Sequence, residues 1–486
     1  MGRRDQTVGR TVSRLTLRRH LFQTIRSWSG TASIVVQRTA RRDANSMSGE
    51  SRLWTSSASG LSRRRVLRLG GMVGAAAGSA VLAGCGTRAA GSSRASAPIR
   101  IGFVSPQTGP LSNFAASDSF VVDSMRARFS SGVQLGSVTR PLQVIVRDSR
   151  STAEGAAAAA EDLVKNEKID LMLVSSTPDT TNPVADVCEK QAVPCISTCA
   201  PWEPYFFGRG GNPDTPFKWT FHYFFGMADI AASCTALISA VPTNRRVGAL
   251  WPADPDGSAW RDPKTGFGPI LAKAGFTLID PGPYQDGTND FGPLLRSLKD
   301  QDAQILLALP IPPDAPTILR QAAQIGYRPK VAFISKAVDV PGSIQAVGPL
   351  GQNVGIGVYW SPKFPFTSSL TRQTAAQLAE EFERTTGQQW LQILGCVHAL
   401  FEVAIAALSS AGTTDKHAVA DRLRTLSVNT IAGPVNFATG PVRGVSAMPA
   451  VSAQWRRDQN GRWEPVIVAA PNHPELPTES AVQPFG

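Results

Sequence analysis

The chain has 486 residues and a formal net charge of +12, from 49 Lys and Arg against 37 Asp and Glu. All of that surplus lies in residues 1–84, which hold 15 Arg, no Lys and 3 acids; the remaining 402 residues balance 34 basic against 34 acidic side chains. A neutral body gives no electrostatic case for nucleic-acid binding, and it is longer than one typical core, so two lobes are expected.

Residues 1–46 are rich in Arg and Ser without steady apolar periodicity and are expected to be disordered or untranslated, with Met47 the more ordinary start. Ser62-Arg-Arg-Arg-Val-Leu-Arg68, an apolar run over 69–81 and Leu82-Ala-Gly-Cys85 follow. A charged region, a short apolar stretch and small residues before a cut describe a leader, not a membrane span. The segment resembles a twin-arginine export signal ending in a lipobox. On that reading Cys85 is the lipidated first residue of a protein that works outside the cytoplasm, anchored to the membrane by lipid. Residues 87–98 (TRAAGSSRASAP) read as a flexible tether.

Strands and helices then alternate. Strands are expected over 99–104, 142–146, 169–174 and 194–197, with helices over 118–129, 153–166 and 182–191. The rhythm restarts with strands over 246–251, 276–279, 303–309 and 330–334 and helices over 268–274, 291–299 and 316–325. Branched strands alternating with helices point to parallel sheets covered on both faces. Residues 355–360 (GIGVYW) read as a strand returning to the first lobe, followed by helices over 370–386, 391–410 and 415–426. The helix over 391–410 is apolar on most faces and so buried, and no apolar run after Cys85 is expected to approach membrane-span length. Residues 451–468 read as a hairpin about Asn460-Gly461, a type I′ turn signal. The Pro-rich tail from 471 is expected to be loose.

The five cysteines after Cys85 are Cys188, Cys195, Cys199, Cys234 and Cys396. An odd number leaves at least one unpaired, and twin-arginine substrates resemble proteins that fold in a reducing compartment before export, so stability is not expected to rest on disulfides. CxxxC over 195–199 lacks a second ligand pair, so no metal site is expected. There is no HExxH, GxSxG or phosphate-loop pattern, and no cofactor is expected.

Four segments in order carry a resemblance. Ile99-Arg-Ile-Gly-Phe-Val-Ser-Pro-Gln-Thr-Gly-Pro110 is similar to the opening strand and PLTGP loop of type I periplasmic solute-binding proteins of the branched-chain amino acid and amide class. Val146-Arg-Asp-Ser149 with its Ala-rich helix, the unit from Asp170 to Pro194, and Tyr284-Gln-Asp-Gly-Thr-Asn-Asp-Phe291 are similar to later segments of that family. Gly433-Pro-Val-Asn-Phe437 adds its late signature. The resemblance implies an α/β fold of two doubly wound parallel-sheet lobes joined by a multi-strand hinge. It divides the chain into an extension and signal over 1–84, a tether over 85–97, an N-terminal lobe over 98–222 and 356–445, and a C-terminal lobe over 223–355. Terminal strands of the hinge or C-terminal lobe take 446–470 and a loose tail 471–486. The implied function is a non-enzymatic receptor that carries a small organic solute to an ABC transporter permease, or to a sensor.

Ligands of open α/β sheets bind beyond the carboxyl ends of the strands. The hydroxyls there are Ser105, Thr108, Ser175, Ser176, Thr177 and Thr198, each able to hydrogen-bond a carboxylate and each equally suited to capping a helix. Residues 202–225 crowd ten aromatics, either a lobe interface or a cleft wall with Trp202 foremost. Lys336 falls where amino-acid binders of this class hold an acid for the ligand's ammonium, which points to a carboxylate or amide without an α-amino group; a shift of register would put Asp339 there instead. Asp256 in Asp254-Pro-Asp-Gly257 and Trp360 complete the candidates, with a tight turn favoured over a calcium loop. A secreted Ser/His hydrolase and a structural surface lipoprotein are the competing classes; the first lacks a nucleophile elbow.

Overall fold

A computed structural model describes residues 97–486. The expected leader, its Cys85 and the tether through residue 96 lie outside the described residues.

Six parallel strands form the first sheet, in the order Val445–Ala447, Thr220–Phe224, Cys195–Thr198, Leu171–Ser175, Ile99–Ser105, Leu142–Asp148. Leu171–Ser175 and Cys195–Thr198 are buried at every position, as strands covered on both faces must be. Side chains alternate between two cores. Val104, Met172 and Val174 pack with Ala156, Ala160, Leu163 and Val184 of helices Ala153–Lys165 and Pro178–Gln191. Phe103, Leu171 and Leu173 lie in the large core that includes helix Ile393–Ala411. Contrary to the expectation that no run approaches membrane-span length, that helix is 19 residues long and apolar enough to span a membrane, but 83% of its most apolar stretch is buried inside the protein. It is the central core helix of the first lobe.

The second sheet runs Trp463–Ala469, Val451–Arg457, Gly355–Val358, Val331–Ile334, Ile305–Ala308, Arg246–Leu250, Thr277–Ile279. Its last five strands are parallel, and the terminal hairpin adds two antiparallel ones. Gly355–Val358 therefore belongs to the second lobe and does not return to the first. Its register, Gly355 opposite Gln454 and Val358 opposite Val451, buries Ile356 and Val358 beside Val451 and Ile467. The chain passes between the lobes at residues 225–226, 359–374 and 448–450, after strands Thr220–Phe224, Gly355–Val358 and Val445–Ala447.

Two local expectations need correction. In the hairpin loop only Gly461 has positive φ (78°), and its N–H donates to the Asp458 carbonyl; a type I′ turn needs both central residues there. The tail is also strapped down. Ile467 N–H donates to the Glu479 carboxylate, Gln454 and Gln483 exchange bonds, and Phe485 N–H donates to the Lys330 carbonyl. The five cysteines among the described residues are buried and free.

Candidate functional site

The cleft lies where the carboxyl ends of both parallel sheets meet. A cavity of about 30 Å³ remains there, lined from the first lobe by Phe114, Thr177, Cys199, Pro201, Phe224 and Phe225. Asp256, Trp260, Leu309, Ser335, Lys336 and Asp339 line it from the second lobe, and Tyr359 from a crossing segment. Space on that scale holds about one water, so the lobes stand closed on each other. Helices Pro178–Gln191 and Trp202–Phe206 of the first lobe touch Pro255–Arg261 of the second. Asn113 Nδ2 donates across the cleft to Ser343 Oγ at 3.1 Å.

Charge is concentrated on the second-lobe side. Asp254 caps helix Pro255–Arg261, accepting from Gly257 N–H at 2.6 Å, and Asp256 sits in its first turn. A Cβ on Gly257 would lie 2.0 Å from the Pro252 carbonyl oxygen, so only glycine closes this turn. Lys336, just past strand Val331–Ile334, reaches both acids, in a short bond to Asp254 and at 3.1 Å from Asp256. Its φ of 68° and that of Cys199, 69°, are left-handed values that ordinary side chains seldom adopt. Both follow strand ends and line the cavity, and strain of this kind concentrates at working sites.

Lys336 stays charged although buried. Burial alone would lower its pKa, but Asp256, Asp254, Asp179 and Asp286 together hold it well above the usual lysine value. Burial pushes Asp256 up to about 7 against the pull of Lys336, and pushes Asp339 up to about 7 against the backbone amide of Lys336. Asp179, in the first turn of the first-lobe helix, is also raised by burial. The expectation that Lys336 is free for a carboxylate of the ligand is corrected here: its ammonium is already spent on two acids.

Of the other candidates, Thr177 lines the cavity and donates to Asp179 at 3.2 Å. Ser175 and Ser176 are buried just behind it with hydroxyls that have no partner. Ser105 donates to the buried Asp118, exposed Thr108 to Asp148, and Thr198 to the Tyr223 carbonyl. These three tie the first lobe together. Trp360 lies in the first-lobe core with its indole N–H on the Ile431 carbonyl, packed so tightly that a Cβ on Gly395 would fall 2.3 Å from its ring. Trp202 packs on Phe207 and on the crossing at Gly226.

Most of the aromatic segment is core. Tyr205 stacks on His222 at 4.0 Å, and His222 is held between Ser197 Oγ and the Ala200 carbonyl, its pKa lowered by burial to about 3. Only Phe224 and Phe225 of that segment reach the cavity. The strand-end rule could have named Leu309 and Ser335, the residues just past Ile305–Ala308 and Val331–Ile334. Nothing in the sequence marks Phe114 or Trp260. Among the described residues no cluster suits a metal ion.

Residues 98–461 match the family model described as periplasmic binding protein. The chain belongs to that family. Members bind small molecules outside the cytoplasm and deliver them to ABC transporter permeases; they are binding proteins, not enzymes. No curated protein matches the chain at a significant level. Among solved structures, the leucine binding protein LivK of Thermotoga maritima is similar, with a TM-score of 0.62 at 18% identity over 77% of this chain and 99% of that one. LivJ of Streptococcus pneumoniae, solved with isoleucine, gives 0.60 at 17% over 76% and 99%. A solute binding protein of Rhodopseudomonas palustris, solved with 3,4-dihydroxybenzoic acid, gives 0.61 at 14% over 77% and 96%. At these identities the likeness establishes the fold: two lobes of the type I periplasmic binding protein.

Proposed function

We propose that this periplasmic binding protein is the receptor for one small organic solute with a flat or apolar body, which it delivers to an ABC importer. The observation that carries this reading is the cavity itself, walled by Phe114, Phe224, Phe225, Trp260 and Tyr359 from both sides of the closure. Large rings with a few placed polar groups make a cleft selective for such a body. The structural neighbours solved with isoleucine and with a dihydroxybenzoic acid have ligands of that description, and branched-chain amino acids, amides and aromatic carboxylates form the first panel to test. A sensor partner in place of the importer would use the same closure.

We further propose that Leu82-Ala-Gly-Cys85 directs lipidation and cleavage, so that the receptor is held at the membrane. Cys85→Ala should release the protein or leave its leader uncleaved; unchanged processing and membrane fractionation would count against the anchor. Mass spectrometry of small molecules released by denaturing freshly purified protein, followed by calorimetric titration, tests the receptor. Phe225→Ala should weaken binding of the recovered solute at least tenfold. Turnover of that solute, or saturable binding untouched by Phe225→Ala, would sink the reading.

A further inference from the structure

The polar half of the cleft is unbalanced. In the closed lobes Asp179 of the first lobe, on a helix that touches Pro255–Arg261, lies close enough to Asp254 and Asp256 of the second to act on them, and Asp286 acts on the same groups. These four carboxyl groups share the Lys336 ammonium, which pairs directly with two of them, and burial raises the pKa of Asp179, Asp256 and Asp286, so the closed cleft keeps protons on some of them until a cation takes their place. Asp339, 5% exposed, lies against the same cavity with no charged partner among the described residues.

The unmet valences point the same way. Asp256 Oδ1 and Asp339 Oδ1 are both buried without a hydrogen-bond partner, and both residues line the cavity. A buried carboxylate oxygen left unpaired costs free energy that a donor on a ligand would recover. Around them stand rings whose faces attract a cation. An anionic ligand would meet the surplus acids with no unspent cation to hold it. A zwitterion would satisfy one acid and add another carboxylate to the cleft.

We infer that the solute is an organic cation, an amine or amidine on an apolar or aromatic body, whose charged group is read by Asp256 and Asp339. This rests on the receptor reading above and narrows it. Lys336 then serves as a built-in counter-ion for Asp254 and Asp256. The ligand supplies a second positive charge among Asp179, Asp254 and Asp256, so the closed form holds a cation better than an anion.

Calorimetric titration of the full chain with four probes of one body separates the possibilities: 2-phenylethylamine, phenylacetamide, phenylacetate and phenylalanine. The amine should bind at least tenfold more tightly than phenylacetate, and its affinity should fall as salt is raised. Asp339→Asn, which keeps the shape and removes the charge, should weaken the amine about tenfold and leave phenylacetate no weaker. Asp286→Asn, at an exposed position, should weaken the amine less and in the same direction, and it remains informative if the buried variant fails to fold. Tighter binding of phenylacetate or phenylalanine, or recovery of an anionic or zwitterionic solute from the purified protein, would overturn the charge assignment while leaving the receptor intact. If no probe binds and no solute co-purifies, the receptor reading falls and this inference with it.

Discussion

Lys336 shows what a single residue does in this cleft. Its ammonium is buried with Asp254 and Asp256, and removing one partner of such a group leaves the others charged without compensation. Lys336→Met should therefore destabilise the protein by about 3–5 kcal/mol at pH 8. The loss should shrink at pH 5, where the orphaned acids can take up protons; thermal unfolding at the two pH values checks this. Asp118 tests burial without an ion pair. It accepts from Ser105 Oγ at 2.6 Å and burial pushes its pKa from 3.8 up to about 7. The folded state thus holds this proton more tightly than the unfolded one. Its contribution to stability is greatest below pH 3.8, falls as pH rises through the window up to about 7, and is level above it. Asp118→Asn should flatten that part of the stability profile, a difference of up to roughly 4 kcal/mol across the window by denaturant titration.

At the scale of elements, the crossings between sheets are the segments that a relative motion of the lobes has to bend. At the first, a Cβ on Gly226 would lie 2.1 Å from Trp202 Nε1. Gly226→Ala should cost about 1–3 kcal/mol through overpacking. Adding Trp202→Ala should return part of that loss, giving a non-additive double-mutant cycle. Additive losses would mean that the indole does not brace the crossing. The tail is a second element-scale device. Arg456 donates to the Ser480 hydroxyl and Ala481 carbonyl, and Asn353 to the Pro484 carbonyl. Deleting residues 479–486 should lower the melting temperature by several degrees, since each lost bond is worth about 0.5–1.5 kcal/mol.

For the whole molecule, the receptor reading proposed above requires an equilibrium between closed and open lobes. The closed form has room for about one water between the lobes, so a solute must enter while they are apart. The direct bond from Asn113 to Ser343 helps hold them together. Asn113→Ala should shift the ligand-free protein toward the open form, seen by small-angle scattering as a larger radius of gyration. Saturating solute should restore compactness, and at a hundred times its Kd it should stabilise the protein by about 2.7 kcal/mol. No change in radius for the variant would mean that closure rests on the apolar walls alone.

What the sequence determined by itself is local and periodic. The alternation of branched strands with helices set out both parallel sheets, because a strand covered on two faces has to be apolar throughout. The strand-end rule placed Thr177, Asp256 and Lys336 at the rim where the lobes meet. Tertiary structure decided which hydroxyls and rings face the cleft. Ser105, Thr198 and Trp360 have the right chemistry, but each is turned into the first lobe by a partner distant in sequence: Asp118, Tyr223 and Ile431. The sheet that receives Gly355–Val358 was likewise chosen by its antiparallel neighbour about a hundred residues later. The state of Lys336 depends on Asp254, 82 positions away. Short-range pattern fixes an element and its buried face; the charge and contents of a cleft are sums over residues that only folding brings together.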